Sequence, residues 1–226
     1  MGENDSIKFI LQLAQCFVSI GAGMKQKTAG FLLPYLAAGF GIFVFHNAWL
    51  AILSYHIGIL TIVLLSKNRP PVESLFKSRN RKIPVVTALI GAGGGILLYI
   101  LWPYMDGSGQ IKGYMQSIGL IGKAWPLFIV YFILVNALLE EYFWRGLLAG
   151  RSRGVTLNDV FVSGYHPVVL LGGIGALWLV AIFLILVPAG WVWRQVNRTN
   201  DGLLPSVACH IAADISVILT AYLMTR

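Results

Sequence analysis

The sequence predicts an all-α fold: a polytopic transmembrane helical bundle of about seven to eight helices, with residues 1–226 forming one domain. Three observations carry this expectation. Of the 226 residues, 57% are hydrophobic and only 12% charged, a balance foreign to soluble domains of this length. Charge-free runs recur at the length that crosses a bilayer, about 20 residues. The cations gather in the short segments between those runs, which is the signature of cytoplasmic loops.

The elements follow in chain order. Residues 6–24 form a moderately apolar segment interrupted by Gln12, Gln15 and Ser19, which suits either a span or an amphipathic helix lying at the interface. Glu3 and Asp5 stand where a cleavable signal peptide would carry cations. Residues 28–66, 39 in number, include no charged residue and provide two spans joined near His46-Asn47. The segment 67–82 then holds Lys67, Arg69, Lys77, Arg79, Arg81 and Lys82 against the single acid Glu73. A third clear span covers 83–105, where Gly91, Gly93, Gly94 and Gly95 offer a close helix contact. A polar loop with Asp106, Lys112 and Lys123 leads to a helix that is uncharged from Ala124 to Leu139. A shorter apolar segment follows at 157–172, then an uncharged run at 168–193, then a last span at 203–224. Gly172-Gly173 reads as a tight turn and Pro188 as a kink.

The net charge of +8 does not imply nucleic acid, because the cations are loop cations. With 67–82 inside, the chain returns to the same side at Arg151 and Arg153 and again at Arg194 and Arg198. All three inner loops are basic, so the orientation is self-consistent. The expected location is a cell membrane of prokaryotic inner-membrane type. Cys16 and Cys209 offer neither a disulfide framework nor metal spacing and read as small buried hydrophobes. No cofactor and no metal are expected. Trp102, Trp125, Trp191 and Trp193 suit interfacial belts. His46 and His56 sit at no matched depth and read as structural.

The costly residues are Glu140 and Glu141, followed by Arg145, at the end of an apolar helix. Intramembrane carboxylates usually face a protein interior or cavity and mark a functional site. Glu141 and Arg145 are four apart and share a helix face, while Glu140 points about 100° away and is expected to stay free. His166 lies about ten residues beyond the Arg151 turn, and His210 about seven residues into the last span with Asp214 one turn deeper. At 1.5 Å per residue these groups reach one depth, roughly 10–15 Å from the cytoplasmic helix ends. Carboxylate and histidine around a water form a general-base pair, and a second histidine can donate to a developing oxyanion.

Glu140-Glu141 with Arg145 resembles the EExxxR motif of the CPBP family, the CAAX prenyl endopeptidases and their bacterial relatives. His210 with Asp214 resembles its HxxxN or HxxxD motif. The FxxxH motif is met in part: His166 fits, but four residues earlier stands Val162, with Phe161 displaced by one. The likeness covers roughly residues 124–226, making that half a catalytic core and 28–105 accessory spans. It implies a metal-free glutamic endopeptidase acting on a membrane-anchored protein or peptide within the lipid bilayer. By that carry-over Glu140 and His166 activate water, His210 and Asp214 stabilise the oxyanion, and Glu141 and Arg145 support the site. Asp214, where prenyl proteases carry asparagine, is a poorer oxyanion donor unless protonated; orienting His210 is its other reading. Two further readings stay open: zinc held by His166, His210 and a glutamate, and a non-proteolytic role as an immunity factor, scaffold or proton-coupled transporter.

Overall fold

A computed structural model describes residues 27–106, 109–150 and 152–226. The segment 6–24, Cys16 and Arg151 lie outside the described residues. Within them the structure is all helical, with eight helices and no strand. Six helices are long and apolar enough to cross a membrane: α1 (Lys27–Val44), α2 (Ala48–Leu65), α3 (Lys82–Met105), α5 (Ala124–Leu147), α7 (Ala176–Asn200) and α8 (Leu204–Thr225). Two are shorter, α4 (Gln110–Ser117) and α6 (Leu157–Val169).

The expected junction at His46-Asn47 is a real corner. His46 takes a left-handed φ of 50°, and the Asn47 side chain accepts from the Leu50 amide at 2.9 Å, capping α2. The basic segment becomes a loop with one short 3-10 turn, Val72–Phe76. Thirteen-residue α6 is about 20 Å long, short of the roughly 30 Å hydrocarbon layer. It ends in a turn through Gly172, whose φ of 92° requires glycine.

The predicted glycine contact forms between α3 and α8. A Cβ at Gly91 would sit 2.1 Å from the Cys209 carbonyl oxygen, and one at Gly95 would sit 2.4 Å from that of Ser216, whereas Gly93 meets nothing. Polar bonds seal this contact: Thr87 Oγ1 donates to the Pro205 carbonyl at 2.7 Å, and the Gly95 amide to Ser216 Oγ at 3.1 Å. Small residues permit backbone approach, and hydroxyls then bond across it where no water competes. The consequence for the site is direct, since Cys209 precedes His210. The span read as accessory is the backing that fixes the height of that histidine.

Two tryptophan expectations are corrected. Trp102 and Trp125 are buried, 6% and 7% exposed, because each fills a gap between helices where packing outweighs interfacial placement. Trp193 lines the cavity described below. Arg194, read as a loop cation, lies inside α7 and is 4% exposed. Its guanidinium pairs with Asp159 at 2.6 Å. The outer faces stay apolar, with Leu65, Leu89 and Leu177 each at least 70% exposed, as a lipid-facing surface demands.

Candidate active site

Helix α5 departs from α geometry where it carries the acids. Phe132–Asn136 and Glu141–Leu147 are wound as π-helix, with a single α turn, Ala137–Glu140, between them. Such widened turns occur frequently at functional sites. Glu140 and Glu141 are 0% and 1% exposed and face different neighbours, Glu140 toward α6 and Glu141 toward α8.

Glu141 Oε1 accepts from Arg145 Nη1 at 2.9 Å, the pair the four-residue spacing predicts. The same oxygen accepts from His210 Nδ1 at 2.9 Å. A carboxylate between two N–H donors is held as the acceptor, and it orients the imidazole in turn. His210 Nε2 then lies 3.6 Å from Glu140 Oε2 and 3.5 Å from Asp214 Oδ1.

Glu140 is not free, contrary to expectation. The Tyr165 hydroxyl donates to its Oε1, because Tyr165, whose ring stacks on that of His166 with centroids 4.1 Å apart, also faces α5. Aromatic packing holds Tyr165 there. Its ring stacks on Trp144 at 12° between planes, and Trp144 donates Nε1–H to Tyr55 Oη at 2.8 Å. Glu140 Oε2 has no hydrogen-bond partner among the described residues.

His166 directs Nδ1 to the Val162 carbonyl one turn earlier at 2.8 Å. A carbonyl only accepts, so Nδ1 carries the proton and Nε2 is left with its lone pair when the ring is neutral. Val162, at the motif position where phenylalanine was expected, is 3% exposed and lines the cavity. Phe161 turns away to stack on Phe31 with ring centroids 4.9 Å apart.

Glu140, Glu141, Arg145, His166 and His210 line one cavity of about 120 Å³, closed on the far side by Leu186, Ala189, Gly190 and Trp193 of α7. Depth matching therefore brings these five together. Asp214 stands beside His210 Nε2 and outside the cavity lining, where its Oδ2 accepts from Asn136 Nδ2 at 3.2 Å. Among the described residues no three His, Cys, Asp or Glu side chains group as a metal's ligands would.

Sequence reasoning missed three participants. Asn136 was findable: it is the lone amide in an uncharged run, four residues before Glu140. His56 offers no depth match, although a histidine in mid-span is itself a functional signal. Tyr165 had no signal beyond preceding His166.

No curated protein and no solved structure matches the chain. With six helices able to span a membrane and the family match that follows, the protein is an integral multi-pass membrane protein. Residues 122–216, which hold all six predicted site residues, match the family model of the Rce1-like type II CAAX prenyl endopeptidases.

Proposed function

We propose that the protein is a glutamic intramembrane endopeptidase that hydrolyses a peptide bond of a membrane-anchored protein or peptide, close to the side carrying its basic loops. The observation that carries this reading is Glu140 Oε2, a buried carboxylate oxygen with no hydrogen-bond partner among the described residues, at the wall of a cavity that also holds the His166 and His210 rings. A buried acceptor left open is costly unless a ligand or water completes it.

In the proposed reaction a water bonded to Glu140 Oε2 and His166 Nε2 gives a proton to Glu140 as its oxygen attacks the scissile carbonyl carbon. His210, its Nδ1–H on Glu141 and therefore an imidazolium in this step, donates Nε2–H to the developing oxyanion. The tetrahedral intermediate then collapses, the C–N bond breaks, and Glu140 returns the proton to the leaving amine. Arg145 keeps Glu141 in its accepting role and takes no part in bond making.

The test is cleavage of a quenched-fluorescence farnesylated CAAX peptide, alongside its unprenylated counterpart, by protein in proteoliposomes. Glu140→Gln and His166→Ala should each lower the rate by about 10²–10⁴. Wild-type rates in both variants would end the protease reading. Loss of activity in a strong chelator, restored by zinc, would instead favour a metal on the two histidines.

A further inference from the structure

The reaction as proposed makes no use of His56, yet this histidine sits midway along α2 and is 2% exposed. Its Nδ1 lies 2.8 Å from Tyr131 Oη, and its Nε2 lies 3.2 Å from Asn136 Oδ1. Asn136, 3% exposed, donates Nδ2–H to Asp214 Oδ2 at 3.2 Å. The other Asp214 oxygen lies 3.5 Å from His210 Nε2. One line of polar side chains thus runs from α5 through α2, back to α5, and across to α8 at the edge of the cavity.

The chemistry of these groups gives the line a single sense. The Asn136 amide nitrogen only donates, and it faces a carboxylate, so its oxygen faces His56. That oxygen only accepts, so His56 carries its proton on Nε2. Nδ1 of the neutral ring is then an acceptor and takes the Tyr131 hydroxyl. Every donor meets an acceptor, and the line ends on Asp214 as an acceptor. Turning the amide over would set an NH₂ against His56 Nε2–H and an oxygen against a carboxylate. Buried networks are stable only when every member is satisfied.

We infer that Tyr131, His56 and Asn136 are positioning residues for cleavage: they hold Asp214 as a hydrogen-bond acceptor, and Asp214 holds His210 with its Nε2–H at the cavity. This rests on the proposed role of His210 as oxyanion donor. The amide that prenyl proteases carry at the position of Asp214 is here supplied from the neighbouring helix by Asn136, with the carboxylate on α8. The arrangement predicts an exchange. Asp214→Asn alone turns an NH₂ toward His210 Nε2–H, and Asn136→Asp alone sets two carboxylates face to face. With both substitutions the carboxylate moves to α5, where it accepts from His56 and from the amide now on α8. The oxygen of that amide again accepts from His210.

The experiment combines kinetics on the farnesylated peptide with ¹⁵N-histidine NMR of the protein in micelles, where the chain's four histidines give four pairs of ring-nitrogen signals. Asn136→Leu and His56→Phe should lower kcat by about ten- to a hundredfold with KM unchanged, a loss of one bond's worth of positioning. Each single exchange variant should be similarly impaired, and the double variant, Asn136→Asp with Asp214→Asn, should recover to within about threefold of wild type. Wild-type kcat in Asn136→Leu, with Glu140→Gln inactive, overturns the inference and leaves the protease reading standing. If Glu140→Gln cleaves like wild type, the protease reading falls, and the spectra decide the line alone. Wild-type His56 should be the Nε2–H tautomer, and the His210 signal should move in Asn136→Leu. An Nδ1–H His56 or an unmoved His210 signal overturns the inference, and neither outcome requires that every variant fold.

Discussion

Two buried carboxylate–cation clusters lie near each other in this bundle and are built to opposite specifications. At the base of α6, Asp159 meets Arg194 through two bonds, Nε to Oδ1 at 3.0 Å and Nη2 to Oδ2 at 2.6 Å. Thr156 adds its amide and hydroxyl to Oδ2 at 2.8 and 2.9 Å, and Arg194 also donates to the Ser152 and Gly154 carbonyls. Both oxygens of Asp159 are bonded. In the cavity, Glu140 has one oxygen held by Tyr165 and the other without a hydrogen bond among the described residues, 3.6 Å from His210 Nε2. The first cluster closes a loop onto a helix; the second holds an acceptor open where a substrate or water completes it. A buried ion pair is weak evidence of function, whereas an incomplete one in a cavity is strong evidence.

The comparison predicts that disturbing the open cluster changes rate and disturbing the closed one changes stability. Glu140→Gln preserves shape and should cost about 10²–10⁴ in cleavage rate with its melting temperature in detergent close to wild type; a large drop in melting temperature would make Glu140 structural. Arg194→Met strands the Asp159 charge and should cost about 3–5 kcal/mol of stability, measured by thermal unfolding, with cleavage per folded molecule retained. Gly91→Ala tests the backing of His210, since its Cβ would meet the Cys209 carbonyl. About 1–3 kcal/mol of overpacking is expected there, and the rate should fall as α8 shifts. An unchanged rate would separate the glycine contact from the site. Tyr165→Phe removes the donor to Glu140 and should slow cleavage by about tenfold, with little change in unfolding.

The smallest effect is a pH dependence in the closed cluster. Burial alone would raise the Asp159 carboxyl, but the bonds from Arg194 and Thr156 outweigh it and hold it below the ordinary carboxylate range. A depressed folded value means that the unfolded chain binds the proton more readily. The resulting stability is fully present above the unfolded value of about 3.9 and is lost as pH falls through the folded one. Unfolding followed at acid pH should show this limb in wild type and flatten it in Asp159→Asn; an identical limb in both would remove Asp159 as its source.

The bundle was legible because hydropathy is a local property. Charge-free runs mark which segments are long and apolar enough to cross, and the observed α2, α3, α5 and α8 follow those runs closely. The Glu141–Arg145 pair was legible for a similar reason, as the two are one helical turn apart. Arg194 was misread because positive-inside reasoning treats every cation beside a span as solvated, and only its pairing with Asp159 on α6 identifies it otherwise.

The sequence by itself determined the all-helical membrane bundle and the depth at which its acids and histidines meet, since both depend on residue spacing and the bilayer's thickness. Only the tertiary structure decided which carboxylate oxygens lack a hydrogen bond among the described residues, Glu140 Oε2 and Glu141 Oε2, and that Tyr165 holds Glu140. It also decided that Asn136 and His56 stand behind Asp214. Those facts depend on how α2, α5, α6 and α8 rotate against one another, and on the π-helical turns that turn α5's side chains. Rotation is set by packing among residues distant in the chain, such as Gly91 against Cys209 and Trp144 against Tyr165, so no local pattern encodes it.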